Sequence, residues 1–260
     1  MRYVVLTGGK RVRPLLAFAA GQFTDADLQR LRLVGAALEL SHCYSLVHDD
    51  LPCMDDDILR RGKPTCHVEF DEATALLVGD GLQGLAFQLV SEYTLADNAE
   101  RQLTMIRSLA IAAGSRGMAG GQAIDLSSVG KALTLPELEF MHIHKTGALI
   151  RASVLLGADC GRQISEQERE KLDRYAKHAG LAFQVVDDVL DAEADTATLG
   201  KTAGKDAKDD KPTYVSVLGV AGTRQFAEEL YQDALSSLEG FDESADRLRD
   251  LAGYIVKRQY

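Results

Sequence analysis

The densest chemistry in the sequence lies in Ser41-His42-Cys43-Tyr44-Ser45-Leu46-Val47-His48-Asp49-Asp50-Leu51-Pro52-Cys53-Met54-Asp55-Asp56-Asp57, with Arg60 and Arg61 just beyond. Its carboxylates crowd the end of a mostly apolar run from Leu31 to Val47. Held together in or near a core, they repel one another and resist losing their hydration. Hard divalent cations with oxygen ligands are the simplest counter-charge. An EF-hand loop is excluded, because Met54 stands where the turn glycine belongs and Arg60 falls in the loop's second half. A solvated acidic helix end would explain this stretch if it stood alone.

It does not stand alone. Phe183-Gln184-Val185-Val186-Asp187-Asp188-Val189-Leu190-Asp191 again sets carboxylates at the end of an apolar helical run. Asp187 and Asp191 lie four apart on one helix face, and Asp188 is an i+3 neighbour of Asp191. Two such ends, far apart in the chain, imply the facing walls of one metal-lined cavity.

The elements that position those walls are helices. The Leu31 to Val47 run has helical spacing, and residues 24–48 are predicted as its helix, capped at Thr24 or Asp25. Pro52 interrupts it, since proline lacks the amide proton and collides with the preceding turn. In an unbroken helix Asp49 and Asp55 would sit about 240° apart, so they share metals only if the chain bends or widens at Pro52. The runs Ala73–Val90 and Ile143–Gly157 predict long helices, the first of them buried from Asp71. Gly79, Gly81 and Gly84 would let a neighbouring helix approach it closely. Gly8-Gly9 allows a tight turn, Lys10-Arg11-Val12-Arg13 presents cations, and Pro14 opens the next helix. Two amphipathic helices, roughly 223–239 and 243–258, are structural, and Lys257 and Arg258 read as tail charge. No period-2 strand pattern stands out. The reading is an all-α protein, a single-domain helical bundle over residues 1–260, long enough for one large core.

Composition removes other classes. A formal net charge of −10 argues against a general nucleic-acid binder. Cys43, Cys53, Cys66 and Cys160 have no metal-finger spacing. With no signal peptide and no span of eighteen apolar residues, they read as reduced thiols of a cytoplasmic protein without a membrane span. His142 and His144, two apart on a helix, face different ways and do not make a zinc site. His67, in the loop beyond the first motif, reads as structural.

The two acidic motifs resemble those of the trans-isoprenyl diphosphate synthases, and their surroundings resemble the bacterial enzymes that make farnesyl diphosphate. The resemblance spans nearly the whole chain: Gly8 to Pro14, His42, Asp49 to Arg61, Gly120-Gly121-Gln122, Lys145-Thr146, Phe183 to Asp191, Lys201 and Lys211 to Tyr214. It implies an isoprenoid synthase helical bundle with a central substrate cavity. The implied reaction joins isopentenyl diphosphate head to tail with dimethylallyl and then geranyl diphosphate. It further implies three Mg2+ ions held by Asp49, Asp55 and Asp187, with Asp50, Asp56, Asp188 and Asp191 as supporting or alternate ligands.

By the same resemblance, Lys10, Arg13, His42 and Arg61 bind isopentenyl diphosphate, with Arg11 nearby. Arg60, Lys145, Lys201 and Lys211 face the allylic diphosphate, the last two from a basic loop over 192–213. Thr146, Phe183 and Gln184 face the developing carbocation, while Gln122 and Asp125 support the site from behind. Tyr44, five residues before Asp49, would floor the product cavity at farnesyl length. The family is usually homodimeric and carries a helix ahead of Gly8-Gly9, so Met1 reads as an internal methionine. A geranylgeranyl synthase is the alternative product class. A terpene cyclase, which needs no second diphosphate pocket, and an inactive regulatory subunit, which would have lost motif residues, are the remaining rivals.

Overall fold

Polar caps punctuate a nearly all-helical chain. The computed structural model describes residues 1–193 and 211–258. In order these form α1 (Arg2–Val5), α2 (Val12–Phe23), α3 (Leu28–Asp49), a hairpin of β1 (Leu59–Arg60) and β2 (Lys63–Pro64), α4 (Cys66–Glu69), α5 (Glu72–Glu92) and α6 (Ala99–Ala113). There follow α7 (Met118–Ser128), α8 (Leu135–His142), a π-helical turn (Ile143–Gly147), α9 (Ala148–Asp159), α10 (Glu166–Glu193), α11 (Tyr214–Ser237) and, after a short 3-10 turn, α12 (Asp246–Lys257).

Side chains set the helix starts. Asp27 accepts from the amides of Gln29 and Arg30 at 2.8 and 3.2 Å, which starts α3 four residues later than the sequence suggested. Thr24 is instead buried beyond the end of α2, its hydroxyl donating to Gly21 O and Ala158 O, both at 3.1 Å. Asp71 caps α5 and Asn98 caps α6 through backbone amides. Ser165 and Glu168 bond each other's amides to open α10. Thr213 and Ser216 do the same for α11, which begins well before residue 223. Its early turns were hidden because Gly219, at φ 68°, kinks the helix and breaks the apolar period.

The core is two clusters sharing α9. One joins Leu16 of α2, Ile150 of α9, Tyr175 of α10 and Leu248 of α12. The other joins Leu38 of α3, Leu82 of α5, Leu109 of α6 and Leu156 of α9. The ends of α3 and α10 meet over one cavity.

One expectation changes. The helix from Asp71 is buried on one face only: Leu76 and Leu77 are 48% and 69% exposed. Gly79 does pack against the His48 ring, but among the described residues nothing lies within 4 Å of where a Cβ on Gly84 would stand. Glu72–Glu92 is also long and apolar enough to cross a membrane, which is weak evidence of a span in a helix whose inner face packs on α3. Finally, the β1–β2 hairpin pairs two residues with two, too short to show alternation in sequence.

Candidate active site

The first carboxylate wall is built where α3 stops. Leu51 donates to His48 O at 3.2 Å, and Asp55 N–H reaches Asp49 O at 2.8 Å. The chain thus widens around exposed Pro52 and returns Asp55 beside Asp49, as metal sharing requires. Asp50 is buried and accepts from Arg60 Nε at 2.6 Å, while Arg60 Nη2 reaches Asp57 at 3.3 Å. Asp56 departs from the expected supporting role. It stands exposed on the turn at φ 50°, and buried Asp57 lines the cavity in its place. Burial pushes Asp49 up to about 6 against the opposing pull of Lys145, and Asp50 to about 6 against that of Arg60.

The second wall is a continuous face of α10. Thr146 Oγ1 donates to Gln184 Oε1 at 3.1 Å, and Gln184 Nε2 donates to Asp188 at 2.9 Å. Asp188 also accepts the Tyr214 amide at 2.8 Å, fastening the start of α11 to this wall. Asp187 lines the cavity, with Lys10 at 4.0 Å and Arg258 at 2.8 Å. Asp191 is buried outside the cavity lining.

Arg258 corrects the reading of a free tail charge. Its guanidinium lies 4.1 Å from the Phe183 ring centroid and donates to Phe183 O at 2.7 Å. The packing of α12 on α10 carries it there, which no local pattern around residue 258 announces.

Lys145 and Thr146 sit on the π-helical turn, a device that re-aims side chains within a helix. Lys145 ion-pairs with Asp125 and lines the cavity. A Cβ on Gly121 would lie 2.1 Å from the Lys145 backbone nitrogen, so only glycine lets α7 pass this turn. Gln122, beside it, is buried, and among the described residues its amide atoms find no partner. Lys211 reaches Asp55 at 2.8 Å. Lys201, Lys205 and Lys208 lie outside the described residues.

A basic corner adjoins these walls. Arg13 is buried, and burial lowers its pKa to about 10. Burial and the neighbouring Arg13, Arg61, Arg60 and Arg11 push His42 well below the ordinary histidine value, leaving it neutral. Arg61 donates to Gly8 O at 2.5 Å and approaches Glu39 at 3.7 Å. Gly9 holds φ 110°, and a Cβ there would lie 2.5 Å from the Arg61 guanidinium carbon. Arg11 also ion-pairs with Glu39. Tyr44 is buried one turn behind Asp49, its hydroxyl donating to Ala113 O at 3.3 Å and so bridging α3 to α6.

The cavity of about 210 Å3 thus has Asp49, Asp55 and Asp57 on one side, Asp187 and Asp188 on the other, and Arg60, Lys145 and Lys211 between them. Among the described residues no three ligands converge on one point. The donors are nonetheless all hard carboxylate oxygens, and Asp55 and Asp187 are already answered by basic side chains. That set fits Mg2+ held by one or two carboxylates, with phosphate oxygens and water completing its shell.

Comparison with known proteins adds three findings. The profile of the polyprenyl synthetase family matches residues 1–247. The farnesyl diphosphate synthase of Haemophilus influenzae is 49% identical over 262 aligned residues, covering 100% of this chain and 88% of that protein. Two solved structures superpose over 98% of this chain: an FPP/GFPP synthase from Zymomonas mobilis (TM-score 0.88, 44% identity, 86% of that chain) and a geranyltransferase from Helicobacter pylori complexed with magnesium and isoprenyl diphosphate (TM-score 0.87, 33% identity, 85% of that chain).

Proposed function

Because the chain belongs to the polyprenyl synthetase family, we propose that it is a prenyltransferase that makes farnesyl diphosphate. It condenses isopentenyl diphosphate head to tail with dimethylallyl diphosphate and then with the geranyl diphosphate so formed. The observation that carries this reading is the pairing of a two-walled carboxylate cavity with a separate basic corner, one for each diphosphate. A terpene cyclase has no use for the second of these. A regulatory subunit has no need of either intact wall.

Asp49, Asp55 and Asp187 would hold Mg2+, three ions by family expectation, with Asp50, Asp188 and Asp191 in support. Bound there, magnesium supplies Lewis-acid charge to the departing diphosphate. Arg60, Lys145 and Lys211 share that neutralisation from fixed positions, and the family resemblance gives Lys201 the same part. The allylic carbon–oxygen bond breaks, and diphosphate leaves with the bonding pair. Gln184, with Thr146 bonded to it, faces the resulting cation and helps keep water away, while the Phe183 ring beside them already carries the Arg258 guanidinium. The isopentenyl double bond, its diphosphate held by Lys10, Arg13, His42 and Arg61, attacks that carbon. The adjacent proton then passes to the leaving diphosphate.

Product length in this reading is set by Tyr44, a reading supported by its burial one turn behind Asp49 and the hydroxyl bond that ties α3 to α6. A homodimer covers the outward leucines Leu76 and Leu77 of α5 and Leu103 of α6, which a lone chain leaves to water. Four free cysteines suit a reducing cytoplasm. The deciding experiment incubates labelled isopentenyl diphosphate with each allylic primer and chromatographs the dephosphorylated products. Farnesol from the unaltered chain and longer alcohols from Tyr44→Ala are expected. Predominant geranylgeraniol from the unaltered chain would replace the farnesyl assignment with the geranylgeranyl one.

A further inference from the structure

Glu39 lies on α3 three residues before His42, and it is only 7% exposed. A carboxylate there is unfavourable for the chemistry around it, because it stands beside the corner that must receive a diphosphate. Its contacts explain what it does. The Glu39 Oε1 atom ion-pairs with Arg11 Nη1 and lies 3.7 Å from Arg61 Nη2. Each arginine also grips the N-terminal segment: Arg11 Nη2 donates to Val5 O at 2.6 Å, and Arg61 Nη1 donates to Gly8 O at 2.5 Å. Both have left-handed backbones, φ 52° and 53°, which non-glycine residues hold only when their surroundings over-determine them. Glu39 is therefore the point where three separate pieces of chain are joined: α3, the segment before α2, and the β1–β2 hairpin.

We propose that Glu39 is a positioning residue for the isopentenyl diphosphate corner, aligning Arg61, and through Arg11 the Lys10–Arg13 segment, for the incoming phosphates. This rests on the prenyltransferase reading and adds to it a residue that touches no substrate. Two physical effects of Glu39 oppose each other, and their signs separate this role from a bystander's. As a bare charge, Glu39 repels a diphosphate, so neutralising it should tighten binding. As a positioning group, it preorganises the donors, so neutralising it should loosen binding.

Isothermal titration with isopentenyl diphosphate in metal-chelated buffer reads the difference directly. Glu39→Gln is expected to weaken binding by roughly tenfold. Glu39→Asp keeps the charge but retreats from both arginines, and is expected to weaken it as well. In steady-state assays the isopentenyl diphosphate KM should rise for both variants, while the allylic KM stays within about twofold, a split that general destabilisation would not produce. Unchanged or tighter isopentenyl diphosphate binding in Glu39→Gln overturns the proposal. So does a Glu39→Asp chain that binds like the unaltered protein, and this arm decides the matter if Glu39→Gln fails to fold. An unaltered chain that binds isopentenyl diphosphate without condensing it overturns the prenyltransferase reading alone. One that binds neither isopentenyl nor inorganic diphosphate overturns both.

Discussion

On α3 the carboxylates arrive as the helix is stopping; on α10 they arrive while the helix is still running. The first wall depends on a proline-bearing turn, an Asp55-to-Asp49 backbone bond, a left-handed Asp56 and a short hairpin to bring Arg60 back. The second needs only the unbroken helix that carries Asp187 and Asp188 to the cavity. Their electrostatics differ as well. Asp49 is held where burial raises its pKa to about 6, whereas Asp187 is partly open to water and already ion-paired with Arg258. Asp187 on the continuing helix has its charge answered beforehand, as Asp50 and Asp55 do from Arg60 and Lys211, whereas Asp49 at the helix end holds charge that burial disfavours.

The largest expected effect tests what the walls share. Asp49→Asn and Asp187→Asn should each lower turnover with labelled isopentenyl diphosphate by about a hundredfold or more, as loss of a group aimed at the reacting charge commonly does. Near-normal rates from either variant, or in a chelated buffer, would break the symmetry and with it the two-walled site.

Stability should divide the walls. The folded-state pKa of Asp49, about 6, exceeds the 3.8 of an unperturbed aspartate, so the metal-free fold binds this proton more tightly than the unfolded chain does. The ionised group therefore costs stability above about pH 6, and the cost disappears as pH falls toward 4. Asp49→Asn should stabilise the metal-free protein by up to about 3 kcal/mol near pH 8. The gain should shrink on acidification, measured by denaturant unfolding at both pH values. A pH-independent difference would show that the charge of Asp49 is already compensated.

Asp187→Asn should act in the opposite direction, because it strips Arg258 of a partner at 2.8 Å. The arginine side chain is only 2% exposed, but Asp187 is 36% exposed, so solvent screening limits the loss to about 1 kcal/mol. A stabilised Asp187→Asn chain in the same unfolding series would erase the contrast between the walls. The smallest effect belongs to Asp56→Gly, which relieves a left-handed backbone and should add about 0.5 kcal/mol. Turnover should stay within about twofold of the unaltered chain; a large loss would return Asp56 to the metal site.

This contrast also explains what was legible beforehand. Asp187 and Asp191 could be placed on one face from spacing alone, because the helix kept its period through them. The exchange of Asp56 for Asp57 at the cavity could not, since periodicity carries no information once a helix ends. Tyr44, Lys145 and Lys211 were found through resemblance, and their partners Ala113, Asp125 and Asp55 come from distant segments. Arg258 was missed for the same reason in reverse: a basic residue near a helix end looks alike whether it meets solvent or Phe183. The outward leucines of α5 show a further gap, because apolar spacing reports what a helix would bury and not what covers it.

The π-helical turn carries a consequence in the language of genes. A π turn holds one residue more than the α-helix around it, so losing a single codon between Ile143 and Gly147 would leave regular helix. Such a helix would gain conventional hydrogen bonds and leave the flanking turns in register, yet the side chains within the turn itself would be re-aimed. Lys145 and Thr146 could not both keep their partners, Asp125 and Gln184. In-frame deletion here is thus the kind of lesion that a folding screen passes and a growth screen rejects.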